Sequence, residues 1–217
     1  MPPVPCLTRR QTLSGAAALV GGSVLGLSPA AAAPSSNPMP TELRKALERD
    51  PQAPVLGNPR GDVTLTEFFD YNCPHCRPMS AEVEALIGED PNLRVVFREL
   101  PVFGVGSVFA AKASLASLEQ GKYWPFHRSL MSIRGRAEEA SVIATARKIG
   151  LDETRLRTDM NAQWVKDHLT TSLDLADHMG LIGTPTFIAG DEALFGRQTR
   201  AELWRLIATA RKTLGER

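Results

Sequence analysis

Cysteine is scarce in this chain: it occurs at positions 6, 73 and 76 and nowhere else in 217 residues. A fold stapled by disulfides needs a denser supply, so a structural disulfide framework is excluded. An excess of one charge is missing as well. Lysine plus arginine number 25 against 24 aspartate plus glutamate, which leaves no basic stripe for a nucleic-acid partner. Histidine occurs four times, and His127, His168 and His178 are too scattered to complete a zinc site beside a cysteine pair. Beyond the first thirty-odd residues no apolar run could span a membrane. There is no internal repeat, and no companion motif for hydrolysis or peroxide reduction. What remains has ordinary globular composition and enough length for one domain with a real core.

The first segment stands apart. Arg9 and Arg10 precede an uncharged stretch from Gln11 to Ala33, rich in Ala, Gly, Leu and Val, that ends in four alanines. A basic start, an apolar middle and a small-residue end describe a secretory signal over residues 1–33. Thr8-Arg9-Arg10-Gln11-Thr12-Leu13 also resembles a twin-arginine export signal, implying passage across a bacterial inner membrane and a periplasmic location. The competing interpretation is an uncleaved anchor, although the many Gly and Ala residues make the stretch weakly hydrophobic. Cleavage near Ala32 or Ala33 removes Cys6. It also removes two basic residues and no acidic one, so the formal charge moves from +1 to near −1. An oxidising compartment holding a protein whose sulfur chemistry is confined to Cys73 and Cys76 points to redox work.

Residues 34–56 read as a flexible leader followed by a short helix, Thr41 to Arg49, with Thr41 as its cap. A turn at 58–62 leads into Val63-Thr64-Leu65-Thr66-Glu67-Phe68-Phe69, whose β-branched and aromatic content predicts a strand. Met79, Val83, Leu86 and Ile87 then mark one buried face of a helix, with Pro74 in its first turn. Leu93 to Arg98 is the next strand. Helical segments follow near 107–120, 123–132, 138–149, 152–160 and 162–179, punctuated by Gly121, Gly135 and Gly150. Strands return at Thr186–Ala189 and around 193–195, and a last helix spans about 200–214 with Leu203, Ile207, Ala210 and Leu214 on one side. The order is β-α-β, a helical block, then β-β-α. This is the order of an α/β, thioredoxin-like sheet over residues 57–217 whose halves are separated by a helical insertion at about 107–179, expected to pack over the sheet.

A thiol attacks a disulfide only as its thiolate, and a helix start lowers a thiol's pKa through its unpaired amides and its dipole. Cys73 is placed at such a start, and Cys76 one turn on can close a disulfide or resolve a mixed one. His75 lies between them, where its imidazole would favour the thiolate. Glu67, six residues upstream, either lies beside the pair or points to solvent; strand alternation does not decide which. Tyr123-Trp124-Pro125-Phe126-His127 is read as core packing, as are Trp164 and Trp204, whereas His168 and His178 are read as surface or capping residues. Arg77 either adds positive potential near Cys73 or is simply exposed.

The run Glu67-Phe68-Phe69-Asp70-Tyr71-Asn72-Cys73-Pro74-His75-Cys76, with Gly183-Thr184-Pro185-Thr186-Phe187 downstream, resembles the DsbA-like family of periplasmic thiol-disulfide oxidoreductases. The resemblance implies a cis Pro185 facing the cysteines, Thr184 offering backbone hydrogen bonds to a bound substrate strand, and an acidic Glu67 that assists proton transfer. It needs no cofactor or metal. The expected activity is donation of a disulfide from Cys73-Pro74-His75-Cys76 to reduced or misoxidised exported proteins, with a membrane redox partner restoring the oxidised form and a monomer favoured. An isomerase or reductase on the same fold, which often dimerises through an added module, is the nearest competitor. A zinc-binding or non-catalytic peptide-binding module is the competitor from another class.

Overall fold

In a computed structural model of the protein, residues 38–215 are described; the expected export signal and the start of the expected leader lie outside them. The β-branched run becomes strand β2, Val63–Phe69, buried along its whole length. It is the middle strand of a five-stranded sheet ordered β1-β3-β2-β4-β5. β3, Leu93–Glu99, runs parallel to β2 from Val63 opposite Leu93 to Phe69 opposite Glu99. β4, Thr186–Ala189, pairs antiparallel with the other edge of β2, Phe68 facing Thr186. β5, Glu192–Phe195, extends the sheet beyond β4.

The remaining strand, β1, is Val55–Gly57, antiparallel to β3 with Val55 opposite Val96. It falls within the stretch expected to be leader and short helix. Three residues between Pro54 and a glycine offer no periodicity, so the strand is legible only once β3 provides its ladder. β1 thus straddles residue 56, where the leader was expected to give way to the sheet domain.

The leader's helix, α1, covers Thr41–Glu48. Pro40, not Thr41, occupies its cap position, without a side-chain bond. Leu47 is buried against Phe68, Leu100, Leu175 and Ile188. The last carbonyls of a helix have no partner within it, and here two buried arginines of β3 supply one. Arg94 Nη1 donates to the Glu48 carbonyl at 2.5 Å. Arg98, wholly buried, donates to the carbonyls of Ala46 and Leu47 and pairs with Asp50 at 2.7 Å.

Helix α2, Cys76–Glu89, buries Met79, Val83 and Leu86 and half-buries Ile87 on the other face of the sheet. Each fully buried side chain of that size contributes about 1.5–3 kcal/mol relative to exposure. The insertion supplies α3, Val105–Ala116, a 3-10 turn at Ser117–Gln120, α4, Tyr123–Met131, α5, Glu139–Lys148, and α6, Glu153–Asp159. Their apolar faces join those of α2 and the C-terminal α8, Arg200–Gly215, in one core. The long α7, Gln163–His178, lies on the opposite face, with Leu175 and Ala176 in the cluster under α1. The insertion thus packs over the sheet rather than apart from it. Trp164 and Trp204, expected in the core, are only half-buried. Trp204 keeps its indole N–H on Glu89 at 3.1 Å, at the rim of the core.

Candidate active site

The segment between β2 and α2 is shaped by Asp70, which is buried at the end of the central strand. Its Oδ1 accepts the Asn72 amide at 2.6 Å, a turn that short acidic side chains stabilise locally. Its Oδ2 accepts the amides of Val102 and Phe103 at 2.7 and 3.0 Å. The Cys73 amide returns to the Asp70 carbonyl at 3.1 Å, so Cys73 is held just beyond the end of β2.

Pro74 was expected in the first turn of the helix, but α2 starts at Cys76 with His75 as its cap residue. Pro78 explains the difference. It carries no N–H and cannot return a bond to the Pro74 carbonyl, so regular helix cannot extend backwards through the dipeptide. The Cys73 carbonyl instead accepts the amides of Cys76 at 3.2 Å and Arg77 at 3.4 Å. Cys73 therefore precedes the helix, with the amides of His75 and Cys76 turned towards its sulfur.

The two sulfurs, both present as free thiols, have opposite electrostatics. A hydrogen bond from the Cys76 thiol leads the effects on Cys73; burial opposes it, while the amides of Cys76 and His75 reinforce it, and the pKa falls to about 6. Burial, followed by the neighbouring Cys73 sulfur, pushes the Cys76 thiol far up. Pro74 and His75 are exposed, and among the causes that lower Cys73 is the backbone N–H of His75.

Thr184 and Pro185 approach from the start of β4. Their peptide bond is cis, and the Cys73 thiol donates to the Thr184 carbonyl at 3.2 Å. The Thr184 hydroxyl is buried without a hydrogen-bond partner. Glu67 takes the inward alternative, with 1% of its surface exposed and neither carboxylate oxygen hydrogen-bonded. Burial, then the negative charge on Cys73, raises its pKa to about 8.

Several neighbours were not found from the sequence. Arg77 is neither a free charge nor a solvated side chain. Its guanidinium donates to the carbonyls of Tyr71, Ile133 and Gly135 at 3.2, 2.8 and 2.7 Å. Asn72 bonds Ser107 and Ala137. The Tyr71 hydroxyl meets Ser114 Oγ at 2.6 Å and His127 Nδ1 at 3.0 Å in the core. His168, expected at the surface, is fully buried and meets Glu99 at 2.8 Å, while the other oxygen of Glu99 accepts from Tyr123 at 2.8 Å. His178 is exposed in the last turn of α7. The Asp-x-Asn spacing at 70 and 72 was a turn signal available in the sequence; the partners across the insertion were not. Among the described residues, no group of three or more His, Cys, Asp or Glu is placed to hold a metal ion.

A family model described as DSBA-like thioredoxin domain matches residues 64–208. Among solved structures, a thioredoxin-like oxidoreductase from Silicibacter pomeroyi DSS-3 is 49% identical, with a TM-score of 0.76 over 78% of this chain and 98% of that one. Disulfide bond formation protein D of Bacillus subtilis (strain 168) is 27% identical over 156 residues, which are 65% of this chain and 69% of that protein. The Na(+)/H(+) antiporter NhaA 1 of Salinispora arenicola (strain CNS-205) is 31% identical over 141 residues, 64% of this chain. That stretch is 22% of the antiporter, so the chain spans about a fifth of this relative's length. With the family match extending over more than half of the sequence and the fold in agreement, the chain belongs to the DSBA-like thioredoxin-domain family.

Proposed function

We propose that the protein is an exported oxidase that passes a disulfide from Cys73 and Cys76 to reduced cysteines of other exported proteins. The observation that carries this is the opposite displacement of the two thiols, Cys73 lowered to about 6 and Cys76 raised. A stabilised thiolate favours the reduced form, and a protein whose reduced form is favoured is a strong oxidant.

The exchange runs in two steps. A client thiolate attacks Cys73 Sγ of the oxidised protein, forming a mixed disulfide and breaking the Cys73–Cys76 bond. Cys76 leaves as a strongly basic thiolate and takes a proton, for which Glu67, protonated below about pH 8, is the donor. A second client thiolate then attacks the client sulfur of the mixed disulfide, closing the client's own bond and expelling Cys73 as its stabilised thiolate. Two electrons end on the Cys73 and Cys76 sulfurs, and a membrane redox partner removes them. Thr184 and Pro185 border the attacked sulfur, and the client backbone pairs there.

The basic, apolar and alanine-rich elements of residues 1–33 support export to the periplasm, with cleavage near Ala32 or Ala33. A monomer is favoured because α1 buries Leu47 against its own sheet. The test is a redox titration of the purified mature protein against glutathione, paired with insulin-reduction and scrambled-substrate assays. An oxidising potential with weak isomerase activity is expected. A strongly reducing potential with efficient reshuffling would replace the oxidase by an isomerase or reductase.

A further inference from the structure

The cysteine turn is gripped from outside the sheet. Asn72, immediately before Cys73, aligns its side-chain amide with the peptide groups of Ala137: its Oδ1 accepts the Ala137 N–H at 2.7 Å and its Nδ2 donates to the Ala137 carbonyl at 3.1 Å. The same Nδ2 donates to Ser107 Oγ at 3.0 Å. A side chain must carry both a donor and an acceptor to do this, which aspartate, serine and alanine cannot reproduce at that length. Arg77, immediately after Cys76, uses three nitrogens of its fork on carbonyls of both partners, Tyr71 on the turn and Ile133 and Gly135 on the insertion. The residues flanking the cysteine pair are thus both tied to one connection of the insertion, 132–138, between α4 and α5.

That connection is itself seated closely. A Cβ on Gly106 of α3 would lie 2.5 Å from the Ala137 carbonyl and 2.4 Å from Glu138 Oε2, closer than real contacts allow. Gly106 therefore lets the connection approach α3 near enough for Asn72 to reach it.

We propose that Asn72 and Arg77 are positioning residues, which hold the turn 71–77 against the 132–138 connection so that the amides of His75 and Cys76 stay aimed at the Cys73 sulfur. The helical insertion then does more than cover the sheet: it sets the chemistry of the attacking thiol without touching it. This rests on the assignment of Cys73 as the reactive sulfur, whichever direction electrons flow in vivo.

The experiment follows the 240 nm absorbance and the alkylation rate of the reduced protein against pH in wild type, Asn72→Ala, Arg77→Lys and Gly106→Ala, with melting curves for each. Asn72→Ala removes no charge. Arg77→Lys keeps the charge and loses the planar fork. Gly106→Ala displaces the connection from a distance. In all three the midpoint of Cys73 ionisation is expected to rise by about half a pH unit or more, lowering thiolate content about twofold at pH 6 and roughly threefold well below it, since a tenfold change accompanies each unit. Arg77→Gln is the control for charge. If Arg77→Gln raises the midpoint while Arg77→Lys and Asn72→Ala keep it, charge rather than clamping acts and the proposal is overturned. Folded Asn72→Ala and Arg77→Lys proteins that both titrate as wild type also overturn it. A wild-type midpoint in the ordinary thiol range would instead overturn the assignment of Cys73, an outcome distinct from either.

Discussion

The Cys73 thiol donates to the carbonyl oxygen of Thr184 at 3.2 Å, joining residues 111 positions apart in sequence. When Cys73 ionises it loses the hydrogen it donates, so the bond cannot persist in the same form, and the carbonyl becomes available to another donor. Ionisation of the attacking sulfur and availability of the neighbouring backbone are coupled through a single contact.

Cysteine variants should separate the roles of the two sulfurs. Cys76→Ala cannot form the Cys73–Cys76 disulfide and should lose oxidase activity, but its Cys73 thiolate still attacks client disulfides; the mixed disulfides so formed, which Cys76 can no longer reverse, should accumulate as reducible higher-mass bands on non-reducing gels. Cys73→Ala should form no such species and lose all detectable oxidase activity.

The pH dependence of stability of the reduced protein carries two opposed contributions. Cys73, lowered to about 6 from its ordinary value of 9.0, binds a proton in the unfolded chain but not in the folded one between those values. Its contribution grows as pH rises through that window and is lost as pH falls through about 6. Glu67, raised to about 8 from 4.5, behaves oppositely: the folded state holds the extra proton, and stability declines as pH rises towards 8. Between pH 6 and 8 the two slopes offset. Glu67→Gln removes one of them, so urea melts of the reduced variant should show stability rising with pH there, by at most about 1.4 kcal/mol per pH unit. The alkylation midpoint of Cys73 in Glu67→Gln should stay near that of the wild type, since Glu67 is already neutral where Cys73 ionises.

Arg98 is buried with its charge matched by Asp50 and two carbonyls of α1. Breaking one side of a buried pair costs about 3–5 kcal/mol. Asp50→Ala should therefore lower the denaturation midpoint by a cost of this size at most, Asp50 being partly exposed, and should expose α1 to proteolysis while α2 stays protected. Arg98→Met, which removes the buried charge itself, should cost less than Arg98→Ala in the same assay.

His168→Leu should destabilise by about 1–3 kcal/mol, the cost of leaving a buried acceptor, Glu99 Oε2, without a partner. His178→Leu, at an exposed position, is expected to stay within about 0.5 kcal/mol of wild type. Chemical denaturation of both variants side by side checks the contrast.

The two histidines also show where sequence reasoning ends. Val63–Phe69 and Thr186–Ala189 were readable because β-branched and aromatic runs declare a strand by themselves, and the cysteine spacing declared its own chemistry. His168 gave no such sign: on α7 it directly follows Lys166 and Asp167, and only Glu99, 69 positions earlier, makes its burial tolerable. The helix start was misplaced because Pro74 suits a first turn when judged alone, while the missing N–H of Pro78 acts four residues back. β1 escaped because a three-residue strand takes its definition from its neighbour. The partners of Asn72 and Arg77 escaped for the same reason, since they lie 35 to 65 positions away in the insertion.

Pro78 has one more consequence. Because it keeps Pro74 and His75 out of the helix and both are exposed, exchanging them removes neither a core contact nor a bond of the helical ladder. Selection can retune the electron affinity of the sulfur pair through those two positions at little thermodynamic cost to the scaffold, so a common frame can be adapted to donors and acceptors of different strength.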